Sequence, residues 1–327
     1  MNGLKVVSVL LRLIALLLVG WILSQLPVEL IVKFIGSLSF WQWFVWLGIN
    51  LLIMILATQR WQLLITLMSS PVRFFALLMI RQAGQLISFI TPGPQFGGEP
   101  LQIYWLWKRE QLPLDCSVLA LGLDRFYELW INFSMLVLGV LLLLASPMAE
   151  VGNWQEVLLI VITLLSILSV LGGLILRQPE RAFRWVTRLV QRWQHHPSLK
   201  QIETQCQQLT GNINTVFVER KALLLQALLL SLCGWLALIG ELWLLLGFVN
   251  INLDFSAFLI ILMSIRLAFL LPLPGGIGTL EAALFWAFHY LQLPTETVVS
   301  LIALMRLRDA LVLLLGLWCL QCLRKLH

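Results

Sequence analysis

Charged residues are scarce in this sequence. Asp, Glu, Lys and Arg make up 12% of the 327 residues, hydrophobic residues make up 60%, and the mean hydropathy is +0.92. Soluble domains carry about 25% charged residues, so a water-soluble fold could not cover this much apolar surface. A bilayer solvates such surface instead. The composition therefore predicts an all-α polytopic membrane protein, and the 15 Trp suit the lipid–water interface.

Signatures of catalysis and of metal binding are also missing. The sequence has no D-x-D, H-E-x-x-H, G-x-S-x-G or Walker-type motif. The five cysteines form no disulfide framework, and Cys319 and Cys322 have no nearby His or Cys pair to complete a zinc site. The sequence therefore predicts no enzyme activity, no cofactor and no metal site.

The net charge of +6 does not indicate a nucleic-acid partner. The basic residues concentrate in 177–221 and at the chain ends, as the positive-inside rule predicts for cytoplasmic segments. Within 178–220 an amphipathic helix is predicted to lie on the membrane surface, its basic row facing anionic headgroups. The alternative is a positive-inside linker without lipid specificity. The basic row comprises Arg181, Arg184, Arg188 and Arg192.

Six apolar runs are long enough to cross a bilayer, which takes about 20 residues. Two further apolar segments are broken by Pro and Gly, so each limb is short, and they are predicted to be re-entrant hairpins or short tilted spans. About eight membrane segments result, in two halves, 1–154 and 155–327. The six runs are 4–26, 38–58, 117–146, 155–176, 221–248 and 297–323, and the broken segments are 74–108 and 255–293.

Basic residues between the apolar runs predict the orientation. Lys5 and Arg12 place the N-terminus in the cytoplasm, Arg60 and Arg73 follow the second run on the same side, and basic residues end the chain. We therefore expect a multi-pass inner-membrane protein with both termini cytoplasmic. Three crossings separate the two hairpins, which are accordingly predicted to enter the bilayer from opposite faces.

The two hairpins share a sequence motif. The pattern F-x-x-P-x-P begins at Phe89 and again at Phe269, 180 residues later, and glycines and one glutamate follow each copy. Because Pro removes a backbone donor and Gly tolerates unusual dihedrals, the tips should be non-helical. The order and the opposite orientation predict an inverted-topology repeat. The tip residues are Pro92, Pro94, Gly97 and Gly98, then Pro272, Pro274, Gly275, Gly276 and Gly278.

Ten charged residues fall within apolar segments, where each costs roughly 2.5–3.5 kcal/mol on insertion scales. Four arginines against six acids predict internal pairing. These charges either lock the two halves together as buried ion pairs or line a polar cavity between the hairpins, and a pairing of Glu241 with Arg266 is one expectation. The ten are Glu99, Asp124, Arg125, Glu128, Glu241, Arg266, Glu281, Arg306, Arg308 and Asp309.

These residues resemble a known family, the transmembrane flippase-like domain of lysylphosphatidylglycerol synthases. Residues 273–281 are similar to its late P-G-G-I-G-x-x-E segment, 92–99 to its P-x-x-x-G-E segment and 123–128 to its E-R-x-x-D segment. The resemblance extends over about residues 5–323 and implies a lipid substrate. Aminoacyl-transferring members carry an additional soluble domain, so lysyl transfer is not expected of this chain.

The leading hypothesis is therefore a translocator that moves an anionic or polyprenyl-phosphate-linked lipid between leaflets by alternating access. Arg125 and Arg306 would compensate the headgroup charge, while Glu99 and Glu281 would orient the headgroup or relay protons. The alternatives are a secondary transporter of a small anionic solute, a membrane component of a lipid-modifying transferase that depends on a partner chain, and a non-transporting scaffold.

Overall fold

The computed structural model describes residues 36, 38–68, 71–91, 97–147, 153–177, 221–271 and 273–325. Throughout these ranges the regular structure is helical, without a strand. The predicted run 4–26, the linker 178–220 with its four arginines, and Pro92, Pro94 and Pro272 lie outside the described residues. The α-helices are α1 (Phe40–Met68), α2 (Phe74–Ile90), α3 (Glu99–Lys108), α4 (Leu114–Leu144), α5 (Trp154–Arg177), α6 (Lys221–Phe248), α7 (Phe255–Ala268), α8 (Thr279–Tyr290) and α9 (Thr295–Lys325).

Four of these helices, α1, α4, α5 and α6, are long and apolar enough to cross a membrane. They correspond to four of the predicted runs and make the chain a multi-pass helical membrane protein. Helix α9 is 31 residues long, but Arg306, Arg308 and Asp309 interrupt its apolar stretch, so it does not meet the same composition criterion. Its crossing stays a prediction.

Both broken segments consist of two short helices. Helices α2 and α3 have 17 and 10 residues, and α7 and α8 have 14 and 12, so every limb is shorter than the about 20 residues that a crossing requires. The connection between α7 and α8 contains a 3₁₀ turn, Pro274–Gly276, and Gly275, Gly276 and Gly278 have positive φ. The sequence correctly predicted non-helical backbone here. That the hairpins are re-entrant stays a prediction.

Helices that correspond in the two predicted halves pack against each other. Helix α1 lies along α6, which occupies the same place in the second half. The first hairpin limb of each half contacts the last helix of the other half, α2 on α9 and α7 on α4. The second limbs, α3 and α8, pack on α4 and α9 of their own halves. The predicted inverted repeat would give reciprocal packing of this kind, and the repeat itself stays a prediction.

The limbs of the first hairpin approach so closely that only glycine fits between them. A Cβ on Gly98 would collide with the carbonyl oxygen of Gly84, and a Cβ on Gly84 would collide with the side chain of Gln102. Gln102 is almost fully buried, and its Nε2 donates to the carbonyl oxygen of Arg81 at 3.4 Å. This contact fixes how α3 lies against α2.

We therefore expect Gly98→Ala to destabilise the protein by about 2–3 kcal/mol, because backbone atoms must move to relieve the collision. Thermal unfolding in detergent, followed by tryptophan fluorescence, measures the change. Gly122→Ala in α4 is the matched control: a Cβ there meets nothing within 4 Å, so alanine should stabilise the helix by up to about 1 kcal/mol. Equal stability of the two variants would contradict the close packing.

Candidate functional site

A carboxylate on α4 joins three helices inside the protein. Asp124 is fully buried; its Oδ1 accepts a hydrogen bond from Arg60 Nε on α1 at 2.6 Å, and its Oδ2 from Arg81 Nη1 on α2 at 2.9 Å. Arg60 Nη1 also donates to Ser231 Oγ on α6 at 3.3 Å. Each Asp124 oxygen therefore accepts a hydrogen bond from a different arginine, so this buried carboxylate is both paired and hydrogen-bonded.

The next residue, Arg125, connects α4 to the first hairpin. Its Nε lies 3.1 Å from Glu99 Oε1, and its Nη1 donates to Glu128 Oε2 at 2.8 Å. The other oxygen of Glu99 accepts the backbone N–H of Gly97 at 2.6 Å. Glu99 begins α3, where the helix dipole favours a negative charge. We call Glu99, Arg125 and Glu128 the first triad.

The second hairpin is held to α9 in the same way. Arg306 Nη2 lies 2.6 Å from Glu281 Oε1, and its Nη1 donates to Asp309 Oδ2 at 3.0 Å. Glu281 Oε2 accepts the N–H of Gly278 at 2.8 Å, as Glu99 does in the other half. Arg306 additionally donates to the carbonyl oxygens of Gly275 and Gly276, both at 3.1 Å. Glu281, Arg306 and Asp309 form the second triad.

The two triads repeat one arrangement but differ in exposure. In both, an arginine binds the glutamate that caps a hairpin tip and an acid three residues further along its own helix. The side chains of Arg125 and Glu128 are 15% and 38% exposed, whereas those of Arg306 and Asp309 are 2% and 10% exposed. The arginine and the second acid are therefore more open in the first triad, whereas the two glutamates, at 20% and 28%, are similarly exposed.

A further ion pair joins α6 to α9. Arg308 Nη1 lies 3.1 Å from Glu241 Oε2, and Arg308 Nη2 lies 3.2 Å from Asp309 Oδ1. The expected pairing of Glu241 with Arg266 is therefore wrong. Arg266 instead stacks on the ring of Trp235, with its guanidinium carbon 4.6 Å from the ring centroid.

Two residues of this network, Arg60 and Arg81, were missed as site residues. Arg60 was expected at the cytoplasmic end of a span, but α1 continues to Met68 and Arg60 is buried. The apolar residues that follow Arg60 could have indicated this, and Arg81 lies in the middle of α2. With both included, six arginines balance the six carboxylates named above.

The tip of the second hairpin touches the end of α2 in the first. A Cβ on Gly275 would collide with the ring of Phe89, and Phe89 and Ile277 pack against the same buried cluster. Gly275 has a φ of 58°, which also favours glycine. The repeated motifs recognised in sequence thus meet in space.

Ionised groups near the two tips are partly accessible. The side chains of Glu99, Glu281 and Arg308 are 20%, 28% and 20% exposed. Across the described part of the chain, no group of three His, Cys, Asp or Glu residues is placed to hold a metal ion. Partly exposed arginines and carboxylates beside non-helical backbone can bind a polar or charged group at membrane depth.

The fold and the site define a multi-pass α-helical membrane protein with two broken helical segments and a charged interior. The chain belongs to the family described as the lysylphosphatidylglycerol synthase TM region, whose sequence model matches residues 6–316. This confirms the resemblance noted in the sequence.

Two curated relatives are UPF0104 membrane proteins of archaea. The protein of Methanothermobacter thermautotrophicus is 29% identical over 147 residues, which are 43% of this chain and 40% of that protein. The protein MJ1595 of Methanocaldococcus jannaschii is 21% identical over 266 residues, which are 79% of this chain and 77% of that protein. No solved structure matches the chain.

Proposed function

We propose that this protein translocates an anionic lipid, a phospholipid or a polyprenyl-phosphate-linked lipid, between the leaflets of the inner membrane. The observation that carries the proposal is the repeated triad, in which an arginine inside the membrane domain holds a hairpin tip through a glutamate. Family membership supports a lipid as the substrate. In this proposal both termini are cytoplasmic.

The proposed mechanism is exchange of ion-pair partners. When a hairpin opens, its glutamate leaves the arginine, and the anionic headgroup takes the glutamate's place. The arginine is paired in both states, and the displaced glutamate keeps its backbone N–H partner, Gly97 or Gly278, and is hydrated as the hairpin opens. Neither charge is therefore left buried and alone, which would cost several kcal/mol. The hairpins open on opposite faces, so exchange at Arg125 and then at Arg306 moves the headgroup across while the acyl chains stay in lipid.

The test is reconstitution into liposomes with a fluorescent phosphatidylglycerol reporter. We expect wild-type protein to make the inner-leaflet reporter accessible to an external quencher, and we expect Arg125→Ala combined with Arg306→Ala to reduce that rate at least about tenfold. Size-exclusion chromatography verifies folding, and Arg125→Ala alone, which leaves the more buried triad intact, serves where the double variant is unstable. Arg73→Ala, at an exposed helix start, is the control. Equal translocation by folded variants and wild type would contradict the role of the arginines.

A secondary transporter of a small anionic solute is the second candidate. The partly exposed arginines Arg125 and Arg308 would also suit a soluble anion in a water-filled vestibule. Uptake of labelled glycerol 3-phosphate into the same liposomes distinguishes the two. Solute uptake without reporter movement would favour the solute transporter, and reporter movement without uptake would favour the lipid translocator.

A further inference from the structure

Arg266 differs from the other arginines of the charged network. Arg60, Arg81, Arg125, Arg306 and Arg308 each lie within 4 Å of at least one carboxylate. Among the described residues Arg266 has no carboxylate at that distance, and its Nε is buried without a hydrogen-bond partner. Arg266 lies in the last turn of α7, on the limb that leads into the second hairpin tip.

The guanidinium of Arg266 is held by an aromatic ring, a contact that does not use its N–H donors. Trp235 on α6 is nearly buried and stacks on the guanidinium face. Such stacking is favourable and leaves the N–H groups at the edge of the plane available for a bidentate acceptor. The nearby Arg308 repels Arg266 electrostatically, while Glu241, which attracts it, is already hydrogen-bonded to Arg308.

We propose that Arg266 binds the phosphate group of the substrate. This inference rests on the proposed function and names the residue that receives the anion before any ion pair has to break. A phosphate oxygen pair matches the geometry of the free guanidinium edge, and its charge offsets the repulsion between Arg266 and Arg308. In the first half Leu86 stands at the corresponding position, 180 residues earlier, so the first half offers no matching arginine.

Native mass spectrometry of the full chain in detergent, titrated with phosphatidylglycerol or with glycerol 3-phosphate, tests the assignment. Arg266→Gln should weaken binding of the phosphate-bearing ligand by at least about tenfold, since it removes a charged hydrogen-bond donor. Arg266→Lys keeps the charge but loses the planar guanidinium that can form two parallel hydrogen bonds. Its affinity for the ligand should therefore lie between those of wild type and Arg266→Gln. Arg73→Gln, which removes an exposed arginine at the start of α2, should bind as wild type does.

Thermal stability separates binding from a structural role. Because Arg266 has no ion pair to lose, Arg266→Gln should unfold within a few degrees of wild type while it loses binding. Binding of either ligand that depends on Arg266 supports the proposal. If that ligand is phosphatidylglycerol, the phosphate belongs to a lipid, and if it is glycerol 3-phosphate, the phosphate belongs to a soluble molecule. Equal binding of both ligands by wild type and Arg266→Gln overturns it. Phosphatidylglycerol could bind in an Arg266-dependent way while the reporter does not move in liposomes. That result would contradict the proposed lipid translocation but not the assignment of Arg266.

Discussion

Replacing Asp124 by leucine is expected to destabilise the protein by about 3–5 kcal/mol, because breaking a buried ion pair leaves an uncompensated charge. Asp124 is fully buried and is the shared partner of Arg60 and Arg81. Its loss removes the carboxylate that pairs with Arg81 and leaves Arg60 with Glu128, whose Oε2 is 3.7 Å from Arg60 Nη2, and α1, α2 and α4 lose their common contact. Unfolding of the purified protein in detergent, followed by tryptophan fluorescence, measures the change.

The matched control removes the whole charged group. Arg60→Met and Arg81→Met combined with Asp124→Leu leave no charge alone, so this triple variant should recover most of the stability lost in Asp124→Leu. Asp124→Asn should also be destabilised, since an amide has no negative charge and only one oxygen that can accept from an arginine. If Asp124→Leu is as stable as wild type, the buried ion pairs do not hold these helices together.

Replacing Arg306 by leucine is expected to release the tip of the second hairpin and to cost about 3–5 kcal/mol of stability. Arg306 is 2% exposed, and it binds Glu281, Asp309 and the carbonyl oxygens of Gly275 and Gly276. Without it, two carboxylates and two carbonyl groups lose a donor. Amide hydrogen exchange should become faster in residues 273–281, which include the N–H of Gly278 bound to Glu281.

Arg125→Leu is the matched variant in the first half. It should speed exchange at Gly97 and Gly98 and leave the second hairpin protected. The loss of stability should be smaller, because the Arg125 side chain is 15% exposed and water can hydrate the groups that it leaves. Uniform exchange in both hairpins after either substitution would show that the triads do not act on separate tips.

The sequence was sufficient to name most of the charged residues of the candidate site. Glu99, Arg125, Glu281 and Arg306 stood out in sequence because a charge in an apolar segment is costly and therefore has a reason to be there. The partners were less predictable. Arg81 received no role, Arg60 was assigned to a loop, and Glu241 was expected to pair with Arg266, because pairing depends on which helix faces contact each other.

By itself, the sequence determined through its composition and local patterns that the chain is an α-helical membrane protein with two broken segments. Apolar length, Pro and Gly act locally, through solvation and backbone dihedrals, so they can be recognised without knowledge of the fold. Only the tertiary structure decided that Asp124 serves two arginines, that Phe89 meets Gly275 and that Arg266 stacks on Trp235. These contacts depend on distance and orientation between segments far apart in the chain, and periodicity along one helix does not encode them.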